Sequence, residues 1–134
     1  MTLQAVAESR LALDDTVQKH LPTFTGPTAA KVAVRQLLQH TAGLPNPDDT
    51  PEVDGVPSFY LRQGPDLQSA ALDDCAAAPK RGPGERFEFN NCDTLVLGAI
   101  LAAVEKQAPA ELLDRRVVQP LGLKTSQVGG SLSD

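Results

Sequence analysis

Asn90 and Asn91 stand side by side where a turn meets a helix, and their amides are the groups best suited to chemistry in this chain of 134 residues. They belong to the stretch Pro83-Gly84-Glu85-Arg86-Phe87-Glu88-Phe89-Asn90-Asn91-Cys92-Asp93-Thr94-Leu95-Val96-Leu97-Gly98. One asparagine suits the N-cap, because its side-chain oxygen accepts from the first helical N–H groups, which have no partner inside the helix. A cap needs only one. The second amide points to another task, with an ordinary polar turn as the plain alternative.

The other candidates are weaker. His40 closes an apolar helical stretch and invites a general-base role, but a lone histidine at a helix end is more often a satisfied structural residue. Neither His20 nor His40 has a second ligand at helical spacing, so no metal site is expected. Cys75 and Cys92 lack metal-ligand spacing; they could pair, but two free thiols are the simpler expectation. Tyr60 is the only phenol in the chain. It reads as a pin holding a long loop to the body, with contact to a ligand as the other reading. Asp14-Asp15 reads as a turn and helix N-cap.

These residues must be positioned by helices. Met1 to Leu13 carries the last turns of an amphipathic helix, with Leu3, Val6 and Ala7 on one face and Leu11 and Leu13 beyond; no start signal precedes it. Asp14 to Pro22 is a brief segment, and Thr23 to Ala30 a polar loop. Val32 to Leu44 predicts a helix burying Val32, Val34, Leu37 and Leu38, closed by Gly43. Pro45 to Pro65 reads as a long structureless loop, the kind that edges or covers a pocket. Asp66 to Ala78 predicts a helix ended by Pro79. Asp93 to Gln107 predicts another, burying Leu95, Val96, Ile100, Leu101 and Val104. Pro109 starts one more, with Leu112, Leu113, Val117 and Leu121 on one face. Thr125 to Asp134 is a tail without periodicity.

The totals set the class. Hydrophobic residues make up 41% and charged residues 22%, so the chain can build one globular domain. Aromatics are only 4%, which leaves the core to Leu, Val and Ala. A net charge of −5 gives no means of neutralising phosphates in bulk, so nucleic acid is not an expected partner. No apolar run approaches the ~18 residues of a membrane span, and the N-terminus lacks the basic and apolar regions of a signal peptide. Localisation stays open between cytoplasm and periplasm or secretion, because the true start of the protein is uncertain.

The stretch from Pro83 to Gly98 resembles the tyrosine–x–asparagine motif of the serine β-lactamase and penicillin-binding-protein-like hydrolases, above all their esterase-type branch. There it runs Pro-Gly-x-x-Phe-x-Tyr-Ser/Asn-Asn into a Leu-Gly helix. Asn91 takes the asparagine position, and Phe89 stands where the family has tyrosine. Three further blocks follow the family's order. Ala5 to Asp15 is similar to its Leu-Val-Glu-x-Gly-x-Leu-x-Leu-Asp-Asp segment. Val34 to Leu44 resembles Arg-x-Leu-Leu-x-His-Thr-Ser-Gly-Leu, with Ala42 for the serine. Pro120-Leu121-Gly122-Leu123 is similar to Pro-Leu-Gly-Met. Each block is weak alone; together, in order, they are specific.

The resemblance implies a mainly α chain: the helical lobe of the α/β β-lactamase/transpeptidase-like fold, with most of the sheet missing. It implies residues 1–134 as a partial domain. The Ser-x-x-Lys nucleophile segment would fall about two to three helical turns before Met1, and the Lys/His-x-Gly strand after Asp134. The family's activity is acyl-enzyme hydrolysis of a small-molecule ester, amide or β-lactam, without cofactor. A chain lacking the nucleophile, and with Phe89 in the tyrosine position, is expected to be inactive by this route. The alternative is a non-catalytic pseudoenzyme that binds a partner or ligand at the remaining pocket edge.

Overall fold

The computed structural model describes residues 1–26, 31–61, 72–77 and 81–124. Its helices are α1 (Thr2–Ala7), α2 (Val17–His20), α3 (Val34–Leu38), α4 (Asn91–Glu105) and α5 (Pro109–Leu113), with a helical turn at 72–75. A two-stranded ribbon pairs β1 (Glu52–Val53) with β2 (Val56–Pro57). The expected helix start at Asp66, the stop at Pro79 and the tail from Thr125 lie outside the described residues.

The axis is α4. Asn90 caps it, its side-chain oxygen accepting from the Cys92 N–H at 2.8 Å, and Lys106 in the left-handed region ends it at φ 55°. The sequence between is rich in Leu and Ala, which lose little side-chain freedom in a helix. α1, α2, α3 and α5 all pack against it. Its Val96, Ile100 and Leu101 join Val17, Val34 and Leu37 in one core. Each such side chain contributes about 1.5–3 kcal/mol by leaving water. Leu95 and Val104 pack at the margin of that core, as the periodicity predicts.

Several expectations need correction. α1 ends at Ala7 rather than Leu13, because Ser9 turns left-handed (φ 57°) and the Arg10 N–H bonds back to the Ala5 carbonyl at 2.9 Å. Its buried residues are Thr2 and Ala5, while Leu3 and Ala7 face outward. Thr16, not an aspartate, stands at the N-cap of α2. Asp15 instead closes a turn by accepting from the Ala12 N–H at 3.0 Å, and Lys19 beside it holds its carboxyl down at about 2. His20 also binds Asp15, at 2.9 Å.

α3 stops at Leu38, and His40 rather than Gly43 supplies the left-handed residue that ends it (φ 52°). The His40 and Thr41 N–H groups close the end on the carbonyls of Leu37 and Gln36, the two bonds of a Schellman cap. Gly43 has a different duty: a Cβ there would meet the Arg81 carbonyl oxygen at 2.6 Å, and its φ is 71°. The Pro45–Pro65 loop is also more ordered than expected. Asn46 caps a 3-10 turn at Pro47–Asp49, Asp54-Gly55 turns the ribbon with both residues at positive φ, and Ser58–Leu61 forms a second 3-10 turn. An Asp-Gly pair between β-branched residues is the sequence sign of such a hairpin.

After α5 the chain widens to i→i+5 hydrogen bonds over Asp114–Val118, with Gln119 N–H on the Asp114 carbonyl at 2.9 Å. The wider turn breaks the helical register, so Leu112 is buried while Leu121 is 67% exposed. Glu105, its side chain only 1% exposed, gathers Arg116 (2.7 Å), Arg10 (2.5 Å) and Arg115 (3.2 Å). Arg116 and Arg10 also reach Glu8, which clamps the ends of α1 and α4 to this turn.

Cys75 and Cys92 form a disulfide with Cα atoms 5.5 Å apart, which corrects the expectation of two free thiols. Spacing could not decide this; the fold does, by bringing the turn at 72–75 against the start of α4. Closing a loop of 17 residues restricts the unfolded chain. Reduction, or Cys75→Ala with Cys92→Ala, is expected to lower unfolding free energy by about 3 kcal/mol. Urea denaturation with and without dithiothreitol checks it; an unchanged midpoint would contradict the bridge's stabilising role.

Candidate functional site

The left-handed turn at His40 aims the next backbone carbonyls sideways, and the segment after Pro83 lies along them. The Gly84 N–H donates to the Thr41 carbonyl at 2.7 Å and the Glu88 N–H to the His40 carbonyl at 2.8 Å. Asn90 completes the seam: its Nδ2 donates to the carbonyls of Leu44 (2.8 Å) and Pro45 (3.2 Å). With its oxygen on the Cys92 N–H, Asn90 is spent on structure. It is buried.

Asn91 is not needed for the cap. As the first residue of α4 it is half-buried, and its Nδ2 donates to the Tyr60 hydroxyl at 2.7 Å. Tyr60 in turn donates to Asp48 Oδ1 at 2.7 Å. Thus the second amide does have a task of its own. Burial, and then the bond to Asp48, raise the Tyr60 phenol above its ordinary value, so it remains a neutral donor. Tyr60 also packs edge-on against buried Phe59, which pins the loop to the body as the sequence leads one to expect.

Phe89 is 58% exposed and Phe87 65%. The ring of Phe89 leans on the His40 imidazole with centroids 4.9 Å apart, and Phe87 meets it edge-on at 6.2 Å. His40 Nδ1 lies 3.1 Å from Asp93 Oδ2 and 3.4 Å from the Asn90 N–H, so the ring is tied to the start of α4. Among the described residues no hydrogen bond reaches its Nε2. His40 is a structural histidine: it ends α3, braces the motif and supports Phe89.

Sequence reasoning missed two partnerships, Asp93 with His40 and Asp48–Tyr60 with Asn91. Their members lie 53 and 31 or more residues apart, and no local pattern marks them. Among the described residues, no group of three His, Cys, Asp or Glu side chains is placed to hold a metal ion, and no helix is long and apolar enough to cross a membrane.

Asp93 is the site's electrostatic cost. Its side chain is 1% exposed and, among the described residues, its Oδ1 has no partner; burial pushes its carboxyl up from 3.8 to about 6 against the opposing His40 bond. The folded chain therefore holds this proton to higher pH than the unfolded chain does. Its contribution to stability is full below pH about 4 and is lost as pH rises through about 6. Asp93→Asn is expected to remove that slope, worth on the order of 2 kcal/mol. Denaturation midpoints between pH 4 and 7 check this; a parent and variant with parallel profiles would rule it out.

Comparison with known proteins places this geometry. The sequence profile described as "Beta-lactamase" matches residues 1–134. Protein flp of Staphylococcus aureus (strain MW2) is 31% identical over 125 residues, which is 91% of this chain and 24% of flp. Esterase EstB of Burkholderia gladioli is 33% identical over 135 residues, covering 91% of this chain and 33% of EstB. The solved structure of a D-stereospecific amidohydrolase from Streptomyces sp. superposes with a TM-score of 0.78 at 28% identity, over 96% of this chain and 40% of its own. The chain thus spans between 24% and 40% of the length of these three proteins. Its mainly helical architecture is the helical portion of their fold, with a two-stranded ribbon as the only sheet among the described residues. This chain belongs to the beta-lactamase family of hydrolases.

Proposed function

We propose that residues 1–134 supply one edge of the substrate pocket of a serine hydrolase that cleaves a small ester, amide or β-lactam through an acyl-enzyme. In that chemistry a serine oxygen bonds to the acyl carbon, the leaving group departs, and water then releases the acyl group. No Ser-x-x-Lys occurs in these residues, so the nucleophile is not theirs to provide. Their contribution is Asn91, whose amide orients substrate and the activating lysine. The observation that carries this reading is the division of labour between the two asparagines. Asn90 takes over the cap and the seam, which leaves the half-buried Asn91 amide outside the cap, with its Nδ2 on Tyr60. The esterase and amidohydrolase among the similar proteins support acyl cleavage at an ester or amide.

Phe89 sets the second half of the proposal. It occupies the tyrosine position on an exposed, supported surface, yet a phenyl ring has no proton to transfer. The chain is therefore inactive by itself, and weak in proton transfer wherever a nucleophile is supplied. The exposed pair Phe87 and Phe89 favours one other reading, a non-catalytic module that binds an apolar group there.

The purified 134-residue chain is expected to leave a chromogenic ester and a chromogenic cephalosporin uncleaved above buffer rate. Turnover that vanished in Asn91→Ala would sink this reading. In a polypeptide that joins these residues to a Ser-x-x-Lys segment, Phe89→Tyr is expected to raise ester kcat by about 10²–10⁴. No gain would mean that residue 89 is not the proton-transfer position.

A further inference from the structure

Three atoms in a row determine how the Asn91 amide faces the site. Asp48 presents a carboxylate, which can only accept. Tyr60 has a single proton to give, and its hydroxyl lies 2.7 Å from Asp48 Oδ1. With that proton committed, the phenol oxygen can only accept from Asn91, 2.7 Å away on its other side. An amide offers donors at Nδ2 and acceptors at Oδ1, and only the donor end satisfies this contact. The carboxylate at the far end of the chain thus dictates which way the amide turns. Among the described residues, Asn91 Oδ1 takes no hydrogen bond, and Asn91 is half-buried rather than swept by solvent.

We infer that Tyr60, anchored by Asp48, is a positioning residue that locks the Asn91 amide with one Nδ2 proton held inward, so that its remaining donor and its Oδ1 acceptor face the site in one fixed orientation. This rests on the reading of Asn91 as a site residue and deepens it. A locked amide spares the site the cost of ordering a free rotor on binding. Tyr60 takes one of the two Nδ2 protons, so the second Nδ2 proton and Oδ1 stay available to a ligand in one fixed orientation. Tyr60 is not a substitute for the hydroxyl missing at Phe89. Its phenol is raised above its ordinary value by burial and by Asp48, and its proton points away from Asn91.

The arrangement is tested on the full 134-residue chain by the ¹⁵N-resolved side-chain amide signals of Asn91, assigned through their loss in Asn91→Asp. The parent is expected to show one of the two Nδ2 protons shifted downfield and slow to exchange. Tyr60→Phe keeps the ring and removes the acceptor, so that proton is expected to exchange about five-fold faster and lose its shift. Asp48→Ala removes the acceptor at the other end without touching the half-buried ring. It allows the phenol to turn its proton toward Asn91 and is expected to abolish the same signature. Main-chain amide spectra, unchanged outside residues 46–61 and 90–93, separate this from a loss of fold. An Asn91 signal that keeps its shift and exchange rate in a folded Tyr60→Phe chain overturns the proposal. So does one preserved in a folded Asp48→Ala chain. The readout needs no turnover. If Phe89→Tyr fails to raise hydrolysis while the amide signature behaves as expected, the positioning stands and the hydrolase reading falls.

Discussion

The backbone seam between His40–Pro45 and Gly84–Asn90 is the constraint on which the rest of this structure depends. Two segments without regular secondary structure are joined there by N–H to carbonyl bonds and by one buried asparagine amide. The N–H and carbonyl groups that meet along it partner one another, and Asn90 is the buried residue of the second segment. The seam exists only because α3 ends in a left-handed residue, which turns the carbonyls of His40 and Thr41 toward the incoming strand-like segment. It also demands Gly43, where the two backbones come too close for any side chain.

From the seam the other features follow. It delivers Asn90 to the start of α4, so the cap of the central helix and the anchor of the 44–45 turn are one side chain. It places Cys92 beside the 72–75 turn, where the disulfide closes. It brings Asp93 under His40 as a buried carboxyl whose second oxygen has no partner among the described residues, a local cost borne where the motif is held. And it sets Asn91, half-buried, and Phe89, exposed, at the edge of the motif. A rigid surround with spare groups at its edge is what a binding or catalytic surface requires.

The two ends of the chain are held by different physics. Near the motif the contacts are backbone hydrogen bonds, a disulfide and apolar burial. At the far end of α4, Glu105 draws Arg10, Arg115 and Arg116 around a carboxylate almost wholly out of water. Such a cluster is favourable only with its partners in place, since a buried carboxylate left alone is costly. It compensates for the break in register at Asp114–Val118, where apolar packing thins and Leu121 turns outward.

Much was legible in the residues themselves. The apolar period of α4 and its asparagine cap follow from side-chain type and 3.6-residue spacing, and the Leu95–Val104 face packs as that spacing predicts. The four ordered motif blocks were enough to indicate the family. Local patterns misled where a left-handed residue intervened. Ser9 and His40 each ended a helix earlier than hydrophobic period suggested, because the cap bonds of one residue outweigh a continuing apolar stripe. Only the tertiary structure decided which cysteines meet, which asparagine is spent on the fold, and that Asp48 and Tyr60 hold the other. Those outcomes depend on distances between residues far apart in the chain, and no short-range propensity encodes them.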